Sequence, residues 1–416
     1  MRNFKSKLKQ FAANTGGNIG IMLALSAIPM IAGVGAALDF GHYLNVNTEL
    51  AAALDAASLA GATASGTDAQ KIKIANDVFD QNFKTVSGGL KATTAFTINN
   101  GVFNGEVTAP MPMMLMGLMG VPSLDAVARN QVGLPAAKKA EVALVLDYSG
   151  SMGDVAGSQV KYKAMGKAAT KLIDDLTVNN PSKVKFSLVP FSQHVYVSLP
   201  AQYVKGGGSG TWTSCTQDRL YPYNLSDAAP NAADDTTKWG QPNVVHPWKS
   251  SCADYASKSL VVRPLTNDFS GLKTQIAAMT PYQNTHIPLG VEFGYQTLSP
   301  NGAFTGAAQY SDKTTSKFLV LLTDGTQTEP AWGPSGMRTV VQGDTNLENL
   351  CSNVKASGIT VVTIAYDLSD STQRQRLQNC ASDPATDFFV ANTDADVAKA
   401  FQAITNAVQQ TVYLSK

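Results

Sequence analysis

Arg2, Lys5, Lys7 and Lys9 stand ahead of 20 consecutive uncharged residues, Ile19 to Leu38. No other feature of the chain restricts its fold as much. At about 1.5 Å per residue, a helix of this length crosses the roughly 30 Å hydrocarbon core of a bilayer. The basic side predicts that residues 1–18 form a cytoplasmic tail, that 19–38 form a transmembrane helix and that everything beyond Leu38 is exported. Pro29 and the glycines inside the stretch are tolerated better in a membrane span than in a soluble helix. A cleaved signal peptide is the competing reading, with Gly33-Val34-Gly35 as a small-x-small site. Its apolar region usually has about 7–15 residues, so the length favours a retained anchor.

Residues 39–66 are rich in Ala and Leu, the strongest helix formers, which predicts that the span runs on as one long helix ending near Gly66. The net charge is +1 and no extended basic run follows residue 10, so nothing recruits nucleic acid. Charged residues make up 15% of the chain, below the roughly 25% of typical soluble domains. Export places the four cysteines in an oxidising compartment, where they pair. Three connectivities are formally open. Local pairing, Cys215 with Cys252 and Cys351 with Cys380, is the simplest. A four-thiolate metal site is the alternative, but there is no CxxC spacing and the histidines are scattered.

Residues 67–136 read as a small mixed module. Ile72, Val78, Phe79 and Phe83 suit a helix, and Asn99-Asn100-Gly101 marks a hairpin turn. The Met-rich run Met111–Val121 is too short to span a bilayer, and core packing is favoured over docking on a partner. From residue 137 to 416 the pattern becomes α/β. Val142–Leu146, Val184–Phe191, Phe318–Leu322 and Ile359–Ile364 are continuous apolar runs of the kind found in parallel strands buried on both faces. Helical spacings such as Met165, Ala168, Leu172 and Leu176 alternate with them. Tyr196-Val197 is the expected hairpin partner of Val184–Phe191. The fold class predicted is a doubly wound, mainly parallel sheet flanked by helices. Residues 200–262 interrupt it as a polar insertion, read as a surface excursion.

Ligands of open α/β sheets bind outside the carboxyl ends of the strands. Two apolar strands end there in an aspartate, one leading into Asp147-Tyr148-Ser149-Gly150-Ser151 and the other into Asp324-Gly325. Two carboxylates and two hydroxyls are hard oxygen donors, suited to Mg²⁺ or Ca²⁺. Gly150 is expected to let the backbone turn sharply between the serines.

Asp147-x-Ser149-x-Ser151 followed by Thr323-Asp324-Gly325 resembles a von Willebrand factor A domain. Asn284-Thr285-His286-Ile287-Pro288 lies where that family's third loop is expected. The resemblance implies a metal-ion-dependent adhesion site formed by Asp147, Ser149, Ser151, Thr285 and Asp324. In that site the hydroxyls contact a divalent cation directly, the aspartates act partly through water, and one position stays open for an acidic group of a protein partner. Thr280 is the other threonine near the third loop. The whole layout, with Leu54-Asp55-Ala56-Ala57-Ser58-Leu59-Ala60 in the long helix, resembles the TadG-like proteins of Tad/Flp pilus assembly. That resemblance implies a single-pass protein of the bacterial inner membrane, with the A domain in the periplasm and pilus or pilus-assembly components as partners.

No GxSxG, HExxH or strand-following GxGxxG occurs, and Gly166-Lys167-Ala168 lacks the rest of a phosphate loop. A binding protein is therefore expected, not an enzyme. A metal-independent structural scaffold of the pilus machinery is the alternative.

Overall fold

The computed structural model describes residues 17–64, 66–86, 90–134, 138–178, 181–242 and 252–413. The basic tail of residues 1–18 lies almost wholly outside the described residues, as does the stretch 243–251 of the insertion. The chain divides into two compact units, Met1–Ala136 and Ala137–Ser415.

The first unit is organised by one unbroken helix, α1 (Gly17–Thr63). Its two halves differ in what surrounds them. Met22, Leu25, Ile28, Ile31, Val34 and Leu38 are all exposed, so most of this half presents an apolar surface. It is long and apolar enough to cross a membrane. From Val46 onward the helix turns amphipathic, and Val46, Leu50, Leu54 and Ala57 are buried. They pack with α2 (Asp68–Val86) against an antiparallel sheet of β1 (Thr93–Asn99), β2 (Val102–Pro112) and β3 (Ser123–Gly133). Asn100 and Gly101 have φ of 52° and 75°, the double positive turn that matches the twist of a tight hairpin. A polar tie fixes the helix on the sheet. Buried Ser58 donates to Asn130 Oδ1 at 2.8 Å, and Asn130 Nδ2 donates to Asp55 at 2.7 Å. The Met-rich run divides. Met111 and Met113 are core, but Met114, Leu118 and Met119 are exposed, because the chain leaves the sheet after Pro112 and their side chains have no second layer to face.

The second unit holds a six-stranded sheet. Its strands are β4 (Lys139–Asp147), β5 (Val184–Phe191), β8 (Arg263–Thr266), β9 (Thr315–Thr323), β10 (Thr360–Tyr366) and β11 (Phe388–Ala391). Their order is β8-β5-β4-β9-β10-β11, parallel except at the β8 edge. Alternate residues of β4 feed two separate cores. Val142, Leu144 and Leu146 face α3 (Lys161–Thr177), α5 (Phe269–Ala278) and α9 (Asp394–Tyr413). Ala143 and Val145 face α6 (Ile287–Leu298), α7 (Val340–Ala356) and α8 (Ser371–Cys380). The sheet is thus doubly wound. Tyr196-Val197 does not pair with β5. It lies in β6 (Val195–Pro200), whose partner is β7 (Thr211–Thr216), because β5 already has β4 and β8 on its two edges. Cys215 of β7 is bonded to Cys252 at the start of α4 (Cys252–Ser257), and Cys351 of α7 to Cys380 of α8, with Cα–Cα distances of 5.6 and 5.0 Å.

The insertion is more than a surface excursion. Arg219 and Trp239 are buried, and both donate to Glu292 of α6, at 2.6 and 2.9 Å. The Arg219 guanidinium lies 4.7 Å from the Trp239 ring, and Trp239 stacks on Phe293 at 5.1 Å. Every residue of α6 is consequently buried. Burial pushes the Glu292 carboxyl up to about 7, against the opposing pull of Arg219. Removing one partner of such a pair strands a charge, while replacing both with apolar groups can be neutral. Arg219→Met should therefore cost about 3 kcal/mol of unfolding free energy in urea titrations. Arg219→Met combined with Glu292→Leu should recover most of that loss.

Candidate metal-ion site

β4 and β9 are neighbours in register, Leu146 beside Leu322, so Asp147 arrives level with Thr323. Thr323 Oγ1 donates to Asp147 Oδ2 at 2.6 Å, and the Ser149 amide donates to Asp147 Oδ1 at 2.7 Å. Both oxygens of this fully buried carboxylate are held. The chain then enters a single tight turn, Gly150–Gly153. The sharp turn expected at Gly150 is made without left-handed backbone, since Gly150 has no positive φ. The Gly150 amide donates to the Gln283 carbonyl at 2.7 Å, which ties the first loop to the loop carrying Thr285.

The hydroxyls and the second carboxylate meet here. Ser149 Oγ lies 3.2 Å from Ser151 Oγ, and Ser151 Oγ donates to Asp324 Oδ1 at 2.7 Å. A methyl placed on Gly325 would sit 3.2 Å from Thr285 Oγ1 and 3.8 Å from Ser151 Oγ, so these two hydroxyls flank the glycine. The third loop is anchored through its backbone. The Thr285 amide donates to Thr328 Oγ1, its carbonyl accepts from the amides of Thr328 and Glu329, and Gln327 Oε1 accepts from the Ile287 amide that opens α6. Pro288 in the first turn suits that start. Thr280 has a different place, its amide donating to the Lys258 carbonyl. Asp147, Ser149, Thr285 and Asp324 are buried while Ser151 is exposed, so the cluster opens to solvent past Ser151.

One participant was not anticipated. Lys161, the first residue of α3, is buried and donates to Asp324 Oδ2 at 2.9 Å, with Asp367 at 3.3 Å. The positive end of a helix dipole disfavours a cation. A lysine opening an amphipathic helix therefore signals carboxylates nearby, and that signal was available in the sequence. Burial opposes the ammonium, but the two carboxylates outweigh it and raise the Lys161 pKa. Burial, followed by the charge of Asp324, pushes Asp147 up to about 7. Burial also raises Asp324, against the hydrogen bonds from Lys161 and Ser151.

In donor chemistry the cluster fits a hard divalent cation, with two carboxylates and three hydroxyls converging at one sheet edge. Among the described residues no group of three or more His, Cys, Asp or Glu side chains could hold a metal. Any ion here would rely on the hydroxyls.

Residues 17–64 match the family model described as Flp pilus-assembly TadE/G-like, and residues 248–405 match the von Willebrand factor type A domain. The chain is TadE/G-like at its N-terminus and carries a von Willebrand factor A (vWA) domain. The vWA match begins after the Asp147 loop, which belongs to the domain through the sheet, where β4 lies between β5 and β9. Solved structures similar to the chain include the vWF domain of the type V pili tip protein Mfa5 from Porphyromonas gingivalis. That likeness has 14% identity and a TM-score of 0.42, covering 68% of this chain and 99% of that one. The PilB minor pilin from Streptococcus sanguinis has 13% identity and a TM-score of 0.39, covering 78% of each chain. The pilus adhesin SpaC from Lactobacillus rhamnosus GG has 13% identity and a TM-score of 0.40, covering 78% of this chain and 35% of that one. No curated protein matches the sequence. The N-terminal match associates this vWA protein with pilus assembly, and the exposed apolar half of α1 fits a membrane anchor of an envelope protein.

Proposed function

We propose that the chain is a non-catalytic pilus-assembly or adhesion protein whose vWA domain takes an acidic group of a protein partner through Mg²⁺ or Ca²⁺. The observation that supports this most is the convergence of Asp147, Ser149, Ser151, Thr285 and Asp324 at the carboxyl edge of β4 and β9, open to solvent at Ser151. Bound there, the cation would supply a positive charge able to accept a carboxylate from outside. The protein's own groups orient the donors: Thr323 and the Ser149 amide hold Asp147, Ser151 and Lys161 hold Asp324, and Thr328 positions the Thr285 backbone. Affinity capture from solubilised envelopes tests the reading. Pilus components should be retained in Mg²⁺ and released by a chelator. Retention unaffected by chelator would favour the second reading, a metal-independent scaffold. Lys161 supports that alternative, since its ammonium already neutralises Asp324 from within.

For topology, we infer from the basic N-terminus that the vWA domain lies in the periplasm. Protease added to cells with a permeabilised outer membrane should degrade the vWA domain. Protection until the inner membrane is also opened would place the domain on the cytoplasmic side.

A further inference from the structure

The loop joining β2 to β3 contains Met113-Met114-Leu115-Met116-Gly117-Leu118-Met119-Gly120-Val121, nine residues without one polar side chain. Surface loops in water are built from Gly, Pro, Asn, Asp and Ser. Here Met114 is 84% exposed, Leu118 85% and Met119 58%. The loop is fastened to α1 at one level. Asp39 Oδ2 accepts from the amides of Leu115 and Met116 at 2.8 and 2.7 Å. One turn earlier, a methyl on Gly35 would lie 2.8 Å from Leu115 Cβ, so the loop rests on the helix backbone itself. Gly35 and Asp39 are buried beneath it, in a part of α1 where Ile31, Val34 and Leu38 are exposed. Phe40 and Tyr43, stacked at 6.0 Å, follow immediately. Aromatic rings of this kind collect where hydrocarbon meets water.

The backbone of the loop is also prepared for an apolar medium. The amide of Met113 donates to Pro122, Leu118 to Leu115, Gly120 to Gly117 and Val121 to Met116, in addition to the two on Asp39. Unsatisfied amides are what keep irregular chain out of lipid. Methionine and leucine would gain from burial there, and methionine adapts to a disordered neighbour.

We propose that this loop is a second membrane contact, with Met114, Leu118 and Met119 entering the bilayer interface beside the span and fixing how α1 stands in the membrane. The occupant is lipid because the apolar tip is continuous with the apolar half of α1 and lies level with its last turn. The proposal rests on the reading of α1 as a membrane helix.

The test uses the full chain, reconstituted in vesicles of phosphatidylethanolamine and phosphatidylglycerol. The native cysteines are bonded, so a single introduced cysteine takes an environment-sensitive fluorophore. Leu118→Cys reports on the loop and Leu25→Cys on the span. Asn100→Cys reports on the opposite end of β2, about 35 Å away at roughly 3.3 Å per strand residue. With acyl-chain-brominated lipid, the labels at 118 and 25 should each lose about half their emission or more, while the label at 100 should not change. Quenching at 25 but not at 118 overturns the proposal and leaves the span intact. A blue-shifted label at 118 that bromine does not quench means protein covers the loop, and also overturns it. No quenching at 25 removes the membrane reading and the proposal with it.

Discussion

Asp147→Asn is expected to abolish the rise in melting temperature that Mg²⁺ or Ca²⁺ should give the wild-type protein. A cation at about 100 times its Kd stabilises the folded state by roughly 2.7 kcal/mol, and the variant should lose nearly all of this. Asparagine is the informative substitution because Asp147 is buried and accepts from Ser149 and Thr323. Its amide retains the shape and a carbonyl acceptor, whereas alanine would strand two donors at about 1–3 kcal/mol each and confuse the comparison. Acidity adds a second signature. The folded-state pKa of Asp147 is raised from 3.8 to about 7 by burial and by Asp324. A raised carboxyl pKa means that the fold holds the proton more tightly than the unfolded chain. Its contribution is fully present below about pH 3.8 and is lost as pH rises through about 7. Cation binding needs the ionised form, so it expels that proton. In chelator, wild-type stability should fall between about pH 4 and pH 7, and the gain from added cation should be largest at the alkaline end. Scanning calorimetry at several pH values measures both. A full cation response in Asp147→Asn would move the site elsewhere.

Lys161→Met has the other large effect, in the opposite sense for the cation. The ammonium is buried against Asp324, with Asp367 on its other side. Removing it leaves two carboxylates, Asp147 and Asp324, facing each other without an internal countercharge. Breaking a buried pair from one side costs about 3–5 kcal/mol, and the lower end is expected because Ser151 still donates to Asp324. The loss should appear in chelator and shrink when Mg²⁺ or Ca²⁺ is added, since the ion can supply the missing charge. Lys161→Met should therefore bind cation more tightly than wild type in calorimetric titration. Equal affinity would show that lysine and cation do not share the same carboxylates.

The doubly wound sheet was legible because each buried strand is a continuous apolar run and each covering helix has a 3.6-residue stripe. Asp147 and Asp324 could be found for the same reason, as the first charges after such runs. Long-range partners were not legible. Glu292 looks like an ordinary polar position of α6 until Arg219 and Trp239 cover it from the insertion. Those residues sit 73 and 53 positions away, and no local periodicity encodes that contact. Pairing of β6 failed for a related reason. A short strand beside a long one suggests a hairpin, but β5 had both edges occupied. In the Met-rich run, residues of one hydrophobicity have environments that diverge between adjacent positions, Met113 buried and Met114 exposed.

α1 continues for 47 residues with no break where the chain leaves the apolar stretch, and its one proline, Pro29, lies well inside that stretch. At about 1.5 Å per residue this is a strut of roughly 70 Å. There is no hinge between hydrocarbon and the Leu50–Ala57 packing, so a pull on the first unit is not absorbed by a slack linker. The load would pass along helical hydrogen bonds into the apolar half. In a bilayer, a tether built this way would resist by the work of drawing apolar residues through headgroups, and would hold the Leu50–Ala57 packing at a set height while it does so.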